Sequence, residues 1–402
     1  MDYYKTVTKA VNTRLEKPNR LSSQAGGDRM REVCEKHFGT IEDTRCPCDI
    51  DYKLTDVLIV VMCAVLCGLD ELGAIATYGE EKKGFLREHF RISRTPSKST
   101  LSRILNMVNG DILAKSVVNI MFEQIGVSGE VIAFDGKTIC STVKKNSIQE
   151  KLHILTAYLT ENSVTLGQIA VDEKTNEIPV LRELLAMIDI KGKIITADAM
   201  HCQKDTVKEI VERGGDYVIG LKGNQETLYK EMSDYIEDCI SDKTIEVETA
   251  KTIENNKGRL EQRVCFKAPN LDWFEGKDDW KGLKTVFSIR RKTTTKQGVS
   301  EETSYYVTSL DVPAERLLEI VREHWKVEVL HFLLDVVFSE DDCRILNSNG
   351  QKTLNAFRKL AVACHSNYLS SLTKKTKPSL KNNMLKSLVS DKRLLEVIAC
   401  RL

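Results

Sequence analysis

The chain has 402 residues, with 59 Lys and Arg against 58 Asp and Glu, a formal net charge of +1, 42% hydrophobic and 29% charged residues. That length can bury a substantial core and divide into two or more domains, and the composition is that of a soluble globular protein. The near-neutral balance excludes a global field for a polyanionic partner, so any nucleic-acid contact has to rest on local basic patches.

Residues 1–50 form a polar arm with one helix expected around Met30–Phe38, preceded by a flexible Ser-, Gly- and Asn-rich segment. The twelve cysteines are too scattered for a disulfide framework. No secretory signal precedes them, so reduced, mostly buried thiols in a cytoplasmic protein are expected. Cys46-Pro47-Cys48 lacks the two-residue spacing of a zinc knuckle and has no second pair. Leu54, Leu58, Val61, Val65 and Leu69 recur at helical steps, and the apolar run Val57–Leu69 is too short to span a bilayer. It reads as a buried helix. A second helix is expected over Lys82–Phe90. Then Pro96-Ser97-Lys98-Ser99 opens another, with Ser97 or Ser99 as its cap and Lys98 and Arg103 near its exposed face. This 51–127 region is compatible with a DNA-reading helix-turn-helix and equally with an ordinary helical subdomain.

From Gly129 the chain alternates. Val131–Phe134, His153–Leu159 and Val164–Val171 read as three successive strands, the first two joined by a basic loop with Lys144, Lys145 and Lys151. A helix follows over Val180–Ile188, then a strand over Lys193–Ala197, a helix over Gln203–Arg213 and a strand over Tyr217–Leu221. This βββαβαβ order predicts an α/β fold with a ribonuclease H-like mixed sheet. Residues 225–239 read as helix. A β-rich insertion is expected at about 240–310, where Val264–Phe266, Thr285–Ile289 and Tyr305–Thr308 alternate with turn residues. Helix resumes at Pro313 and reaches about Phe338, a further helix covers Thr353–Leu369, and residues 373–402 make a basic tail with a short helix. The catalytic domain is thus expected over residues 128–372.

Asp135-Gly136 ends the first predicted strand and, taken alone, reads as a hairpin turn. A second strand also ends in an acid, Asp198, and Glu328 lies inside a long amphipathic helix. Two strand-end aspartates and a helical glutamate point instead to metal-dependent phosphoryl transfer. Two Mg2+ ions about 3.5–4 Å apart, with Mn2+ as a substitute, need little more than carboxylates, waters and the substrate phosphate. Asp135 would bridge them, and Asp198 and Glu328 would hold one each. Around Glu328, residues Trp325, Leu330, Leu333 and Leu334 tend toward the core, whereas His324, Glu328, His331 and Asp335 share one face. That face also invites zinc, but the spacing is not H-E-x-x-H and zinc there leaves both strand-end aspartates unexplained.

Ordered motifs run through the chain: P-S-K-S-T-L-S-R from Pro96, F-D-G-K-T from Phe134, T-N-E-I-P from Thr175, T-A-D-A-M-H-C-Q from Thr196, L-K-G-N-Q from Leu221, H-W-K-V-E from His324 and L-D-V-V-F-S-E-D from Leu334. Together they resemble the H-repeat-associated DDE transposases of bacterial insertion sequences, from about Cys46 to Leu369. The resemblance implies a helical transposase-associated domain, a ribonuclease H-like catalytic domain with a β insertion, and Asp135, Asp198 and Glu328 as the catalytic acids. The sequence departs from the family's usual pattern at Ile139-Cys140-Ser141, Val329 and Phe332. Val321, His324 and Asp335 stand where related transposases carry a tyrosine, an arginine and a lysine.

The expected function is cleavage of double-stranded DNA at element ends and transfer of the freed strand to a target, by a homodimer that brings two ends together. Lys137, Lys222, Arg259, Arg322, His324 and His331 are the expected DNA contacts. A catalytically inactive DNA-binding remnant and a nuclease without strand transfer remain as alternatives.

Overall fold

The structure, a computed structural model, describes residues 23–126, 128–139, 152–171, 176–242, 244–256, 258–373 and 377–399. The polar arm before Ser23, the loop lysines 144, 145 and 151, Cys140, and Lys374 and Lys375 lie outside them. Two units emerge, and the chain passes between them several times. Unit 1 comprises residues 1–128, 136–175 and 328–402; unit 2 comprises residues 129–135 and 176–327.

Unit 1 begins with six helices: α1 (Ser23–Phe38), α2 (Leu54–Leu66), α3 (Leu72–Glu81), α4 (Lys83–Phe90), α5 (Lys98–Met107) and α6 (Gly110–Ile125). Helix α1 starts well before the expected Met30 and absorbs part of the segment read as flexible. Gly27 within it is required by close packing, because a Cβ there would lie 2.8 Å from the His89 Cβ. Helix α2 is apolar all round, and Val57 to Leu66 are buried without interruption, as expected of a central helix. Ser97 caps α5 by accepting a hydrogen bond from the Thr100 amide. Among the described residues no helix is long and apolar enough to cross a membrane. Most described cysteines are buried; Cys46 and Cys48 are exposed, with their sulfurs 2.7 Å apart.

Strand β1 (Val131–Ile139) crosses from unit 2 into unit 1. It does not stop at Asp135-Gly136 as the turn preference of that pair implied. The chain stays extended to the buried Ile139, and Thr138 Oγ1 pairs with His153 Nδ1 at 2.8 Å. In unit 1, β2 (Leu152–Leu159) and β3 (Val164–Val171) are antiparallel, with Ile139, Leu152 and Ile154 forming a local apolar cluster.

In unit 2, β1 pairs in parallel with β4 (Ile194–Ala197), and β4 with β5 (Asp216–Leu221). Helices α7 (Glu177–Met187) and α8 (Lys204–Glu212) supply the crossovers, and α9 (Glu226–Ser241) follows β5. The expected β insertion consists of β6 (Glu248–Asn256), β7 (Arg259–Lys267), β8 (Thr285–Thr295) and β9 (Gly298–Thr308), all antiparallel. It is no separate sheet, because β9 pairs antiparallel with β5. The hydrogen-bonded order is β3-β2-β1-β4-β5-β9-β8-β7-β6, a nine-stranded mixed sheet. Val131, Ile194, Val218, Phe287, Leu317 and Ile320 are among the buried side chains that join these strands to the first half of α10 (Ala314–Phe338).

Helix α10 runs unbroken for 25 residues. Val327, Leu330, Leu334 and Phe338 form its buried stripe in the second half, so Trp325 falls out of phase with them. Trp325 is 45% exposed, contrary to the expected core position, and Arg291 lies over its ring at 5.7 Å. Leu330 and Leu334 are buried as the pattern implied.

The C-terminal region is helical and packed rather than a tail. After α11 (Ser348–Ser371), helices α12 (Leu380–Val389) and α13 (Asp391–Ile398) bury Met384, Leu394, Leu395, Val397 and Ile398. His365, fully buried on α11, pairs with the Leu66 carbonyl through Nε2 and with Asn383 through Nδ1. Lys359 is buried beside it on the same helix and donates to Thr156 Oγ1 at 2.9 Å and Gln168 Oε1 at 2.7 Å. Burial pushes its pKa from 10.5 down to about 7; Glu340 opposes that shift and Lys137 adds to it. Between those two values the unfolded chain holds more protons than the folded one, so stability should rise with pH across that window. Below the folded pKa the ammonium is charged in both states and the cost of burying it is present in full. Urea unfolding from about pH 7 to about pH 9 should therefore show wild type gaining stability relative to Lys359→Met. A pH-independent difference would show that the ammonium is not desolvated.

Candidate functional site

The pairing of β1 with β4 ends at Phe134↔Ala197. The next residues are Asp135 and Asp198, so the two acids stand side by side across neighbouring parallel strands about 4.8 Å apart. Asp135 is half-buried and Asp198 is exposed. Buried residues precede both, the apolar Val131–Phe134 on β1 and Ile195 with the polar Thr196 on β4, which makes the platform rigid.

A turn behind Asp198 is braced by side chains from three of the sequence motifs. Residues Ala199–His201 form a single 3-10 turn. Asn224 Nδ2 donates to the Ala199 carbonyl at 2.8 Å, and Gln225 Nε2 to the Cys202 carbonyl at 3.0 Å. His201, buried, sits 3.4 Å from Glu177 at the start of α7. Thus T-A-D-A-M-H-C-Q, L-K-G-N-Q and T-N-E-I-P interlock beneath one acid.

His324 comes to this acid from α10. Its Nδ1 shares a 3.0 Å hydrogen bond with the Thr196 hydroxyl, and its Nε2 lies 3.7 Å from Asp198 Oδ1. The nearby His324 ring, with weaker pulls from Lys222 and His201, holds the Asp198 carboxyl below its usual range despite partial desolvation. Lys222, exposed just after β5, is near enough to act electrostatically on Asp198. Thr196, Asn224 and Gln225 are uncharged and are not among the expected site residues, although T-A-D-A-M-H-C-Q and L-K-G-N-Q contain them.

The remaining expected contacts are placed elsewhere. In unit 2, Arg259 pairs with Glu261 at 2.5 Å and Arg322 pairs with Glu254. In unit 1, Lys137 is surrounded by Asp335, Asp341 and Glu340, and His331 lines a small pocket with Lys137, Thr156, Asn355 and Lys359. Glu328 is exposed on α10, one turn beyond His324, and falls in unit 1.

The donors of Asp135 and Asp198 are carboxylate oxygens, and the Asp198 pKa is lowered; both properties fit a hard divalent cation such as Mg2+. Among the described residues no group of three or more His, Cys, Asp or Glu side chains gathers as a metal site. The His324 ring, which a zinc site would need, is engaged with Thr196 and Asp198 instead.

Comparison with known proteins agrees with this arrangement of motifs. The family model described as transposase DDE domain matches residues 128–364, and the one described as DDE_Tnp_1-associated matches residues 35–121. The chain belongs to the DDE-domain transposase family, alongside H-repeat-associated members. "H repeat-associated putative transposase YhhI" of Escherichia coli is 34% identical over 377 residues, covering 90% of this chain and 97% of that protein. "Putative protein YbfL" of the same species is 33% identical over the same shares. The cryo-EM structure of piggyBac transposase in a synaptic complex with hairpin DNA aligns over 97% of this chain and 80% of that one, at 10% identity and a TM-score of 0.39, too slight a likeness to inform fold or function.

Proposed function

We propose that the protein is a DNA transposase that hydrolyses a phosphodiester at each end of its element and joins the freed 3′-hydroxyl to a target phosphate. The observation that carries this reading is the adjacency of Asp135 and Asp198 at the end of the β1–β4 register, with His324 lowering the Asp198 pKa. The strand order β3-β2-β1-β4-β5, with parallel pairing from β1 to β5, supports a ribonuclease H-like core. Glu328 completes the acid set on this reading. The three carboxylates would hold divalent cations, Mg2+ or in its place Mn2+, which when bound activate water and stabilise charge on the attacking and leaving oxygens.

The chain's own residues have separate tasks. His324 fixes the orientation of the Asp198 carboxylate, and Thr196 fixes the His324 ring. Lys222 is the phosphate contact best placed beside the acids. The helical residues 51–127 would grip DNA outside the cut, with Lys98 and Arg103 on an exposed helix face, and two copies would bring two ends together.

The test uses labelled duplex containing the sequences that flank the gene, a supercoiled target, and Mg2+ or Mn2+. Metal-dependent nicking that leaves a 3′-hydroxyl, followed by joining to the target, is expected. Nicking without joining would favour a simple nuclease, and binding without nicking an inactive remnant; either overturns the transposase reading.

A further inference from the structure

We propose that Lys137 and Asp335 form a positioning clamp that ties the strand carrying Asp135 to the helix carrying Glu328. The proposal rests on the reading of those acids given above. Lys137 follows Asp135 by two residues, and Asp335 follows Glu328 by two helical turns on the same face. Their partners are 198 residues apart in sequence, yet Lys137 Nζ donates to Asp335 Oδ1 at 2.7 Å.

The surroundings make this a built feature rather than a chance surface pair. Lys137 Nζ also lies 3.6 Å from Asp341 and 3.7 Å from Glu340, and its side chain is only 11% exposed. A lysine poised for a DNA phosphate would present its ammonium to solvent, whereas this one is enclosed by three acids. Glu340 is fully buried and is held from its other side by Arg358 at 3.1 Å and by Asn355 at 3.0 Å. Arg358 in turn grips Asp70 at 2.7 Å. The ammonium is therefore anchored through Glu340 to α11 and, through Arg358, to the turn after α2. A buried ionic chain of this kind specifies position more than it adds stability.

Clamp and backing both lie in unit 1, which β1 enters at Gly136, directly after Asp135, and α10 enters at Glu328 itself. Fixing β1 against α10 there restrains the two segments on which the acids are carried. Lys137 and Asp335 act through Asp135 and Glu328; they are positioning residues.

Mn2+ binding to the protein, followed by electron paramagnetic resonance, tests the clamp without relying on catalysis. Asp335→Asn should weaken Mn2+ binding by about 10–100-fold, the scale seen when a group that orients a ligand is removed. Lys137→Met should do the same, and Asp335→Glu should recover most of the loss. Duplex affinity and its salt dependence should stay those of wild type in each variant. The clamp is overturned if Asp335→Asn binds Mn2+ like wild type. It is also overturned if Lys137→Met instead weakens DNA binding and lowers the salt slope by about one, which marks a phosphate contact. Asp135→Asn run alongside separates the two levels. If it leaves Mn2+ binding unchanged, the acids are no metal site, and the underlying reading fails together with the clamp. If it abolishes binding while Asp335→Asn does not weaken it, the clamp alone fails.

Discussion

Asp135→Asn should reduce end cleavage by about 10³-fold or more, the upper range for losing one preorganised electrostatic group, and leave duplex binding within about twofold of wild type. Asparagine has nearly the same shape, and β1 is held by backbone pairing to β4 from Val131 to Phe134, so the fold should tolerate the change. What disappears is the negative charge that a divalent cation requires. Asp198→Asn should be comparably severe, because His324 and the braced turn behind it serve that carboxylate. The two changes combined should cost little more than either alone, since groups that act as one site are not additive. Single-turnover gel assays at saturating Mg2+ measure all three variants. Cleavage by Asp135→Asn within tenfold of wild type would remove Asp135 from the chemistry.

The parts of the fold readable in sequence were those in which local pattern and burial coincide. Val131–Phe134 and Ile194–Ala197 are buried and almost wholly apolar, so both strands are legible, although β1 runs on past Asp135 to Ile139. Helix α2 announced itself in the same way. Strand β6 did not: from Glu248 to Asn255 only Ala250 is buried, and its place depends on backbone pairing to β7, which no residue pattern encodes. The C-terminal helices were read as a tail because their lysines are conspicuous, whereas the few apolar side chains that dock them are not.

The site divides along the same line. Asp135 and Asp198 stand out as acids after apolar strands. Glu328 is one acid among several on an exposed helix face, and only the ordered motifs single it out. The basic residues expected on DNA flank the acids or lie on the β insertion, but place in the sequence does not reveal a partner. Arg259, Arg322 and Lys137 each face carboxylates: Glu261 two residues along the same strand, Glu254 on strand β6 opposite helix α10, and Asp335 almost two hundred residues away. Lys222 differs from these in acting electrostatically on Asp198. The aspartate standing where related transposases carry a lysine acquires a reason from the structure, since it is the group that receives Lys137.

Arg358→Met should destabilise unit 1 by about 3–5 kcal/mol, the usual consequence of removing one member of a buried ionic set. The arginine is 2% exposed, and its guanidinium bridges Asp70 and Glu340 with separate arms. Methionine fills much of the volume but leaves two desolvated carboxylates facing each other's charge. Arg358→Lys should recover only part of the loss, because a single ammonium cannot reproduce the planar two-armed bridge. The pH dependence carries a sign. Burial already raises the Asp70 pKa, with Arg358 opposing it, so loss of the arginine must raise it further. A carboxyl whose folded pKa lies above its unfolded value loses stability as pH rises through that window. The deficit of Arg358→Met relative to wild type should therefore be smaller at about pH 5 than at about pH 7.5. Spectroscopy can localise the effect. Trp273, Trp280 and Trp325 all lie in unit 2, so tryptophan fluorescence follows that unit, whereas far-ultraviolet circular dichroism is weighted toward the helices of unit 1. In urea the dichroism transition of Arg358→Met should move to lower concentration by more than the fluorescence transition. Equal shifts would mean that the two units unfold as one, and an unchanged dichroism midpoint would mean that the Asp70–Arg358–Glu340 chain contributes nothing to holding unit 1 together.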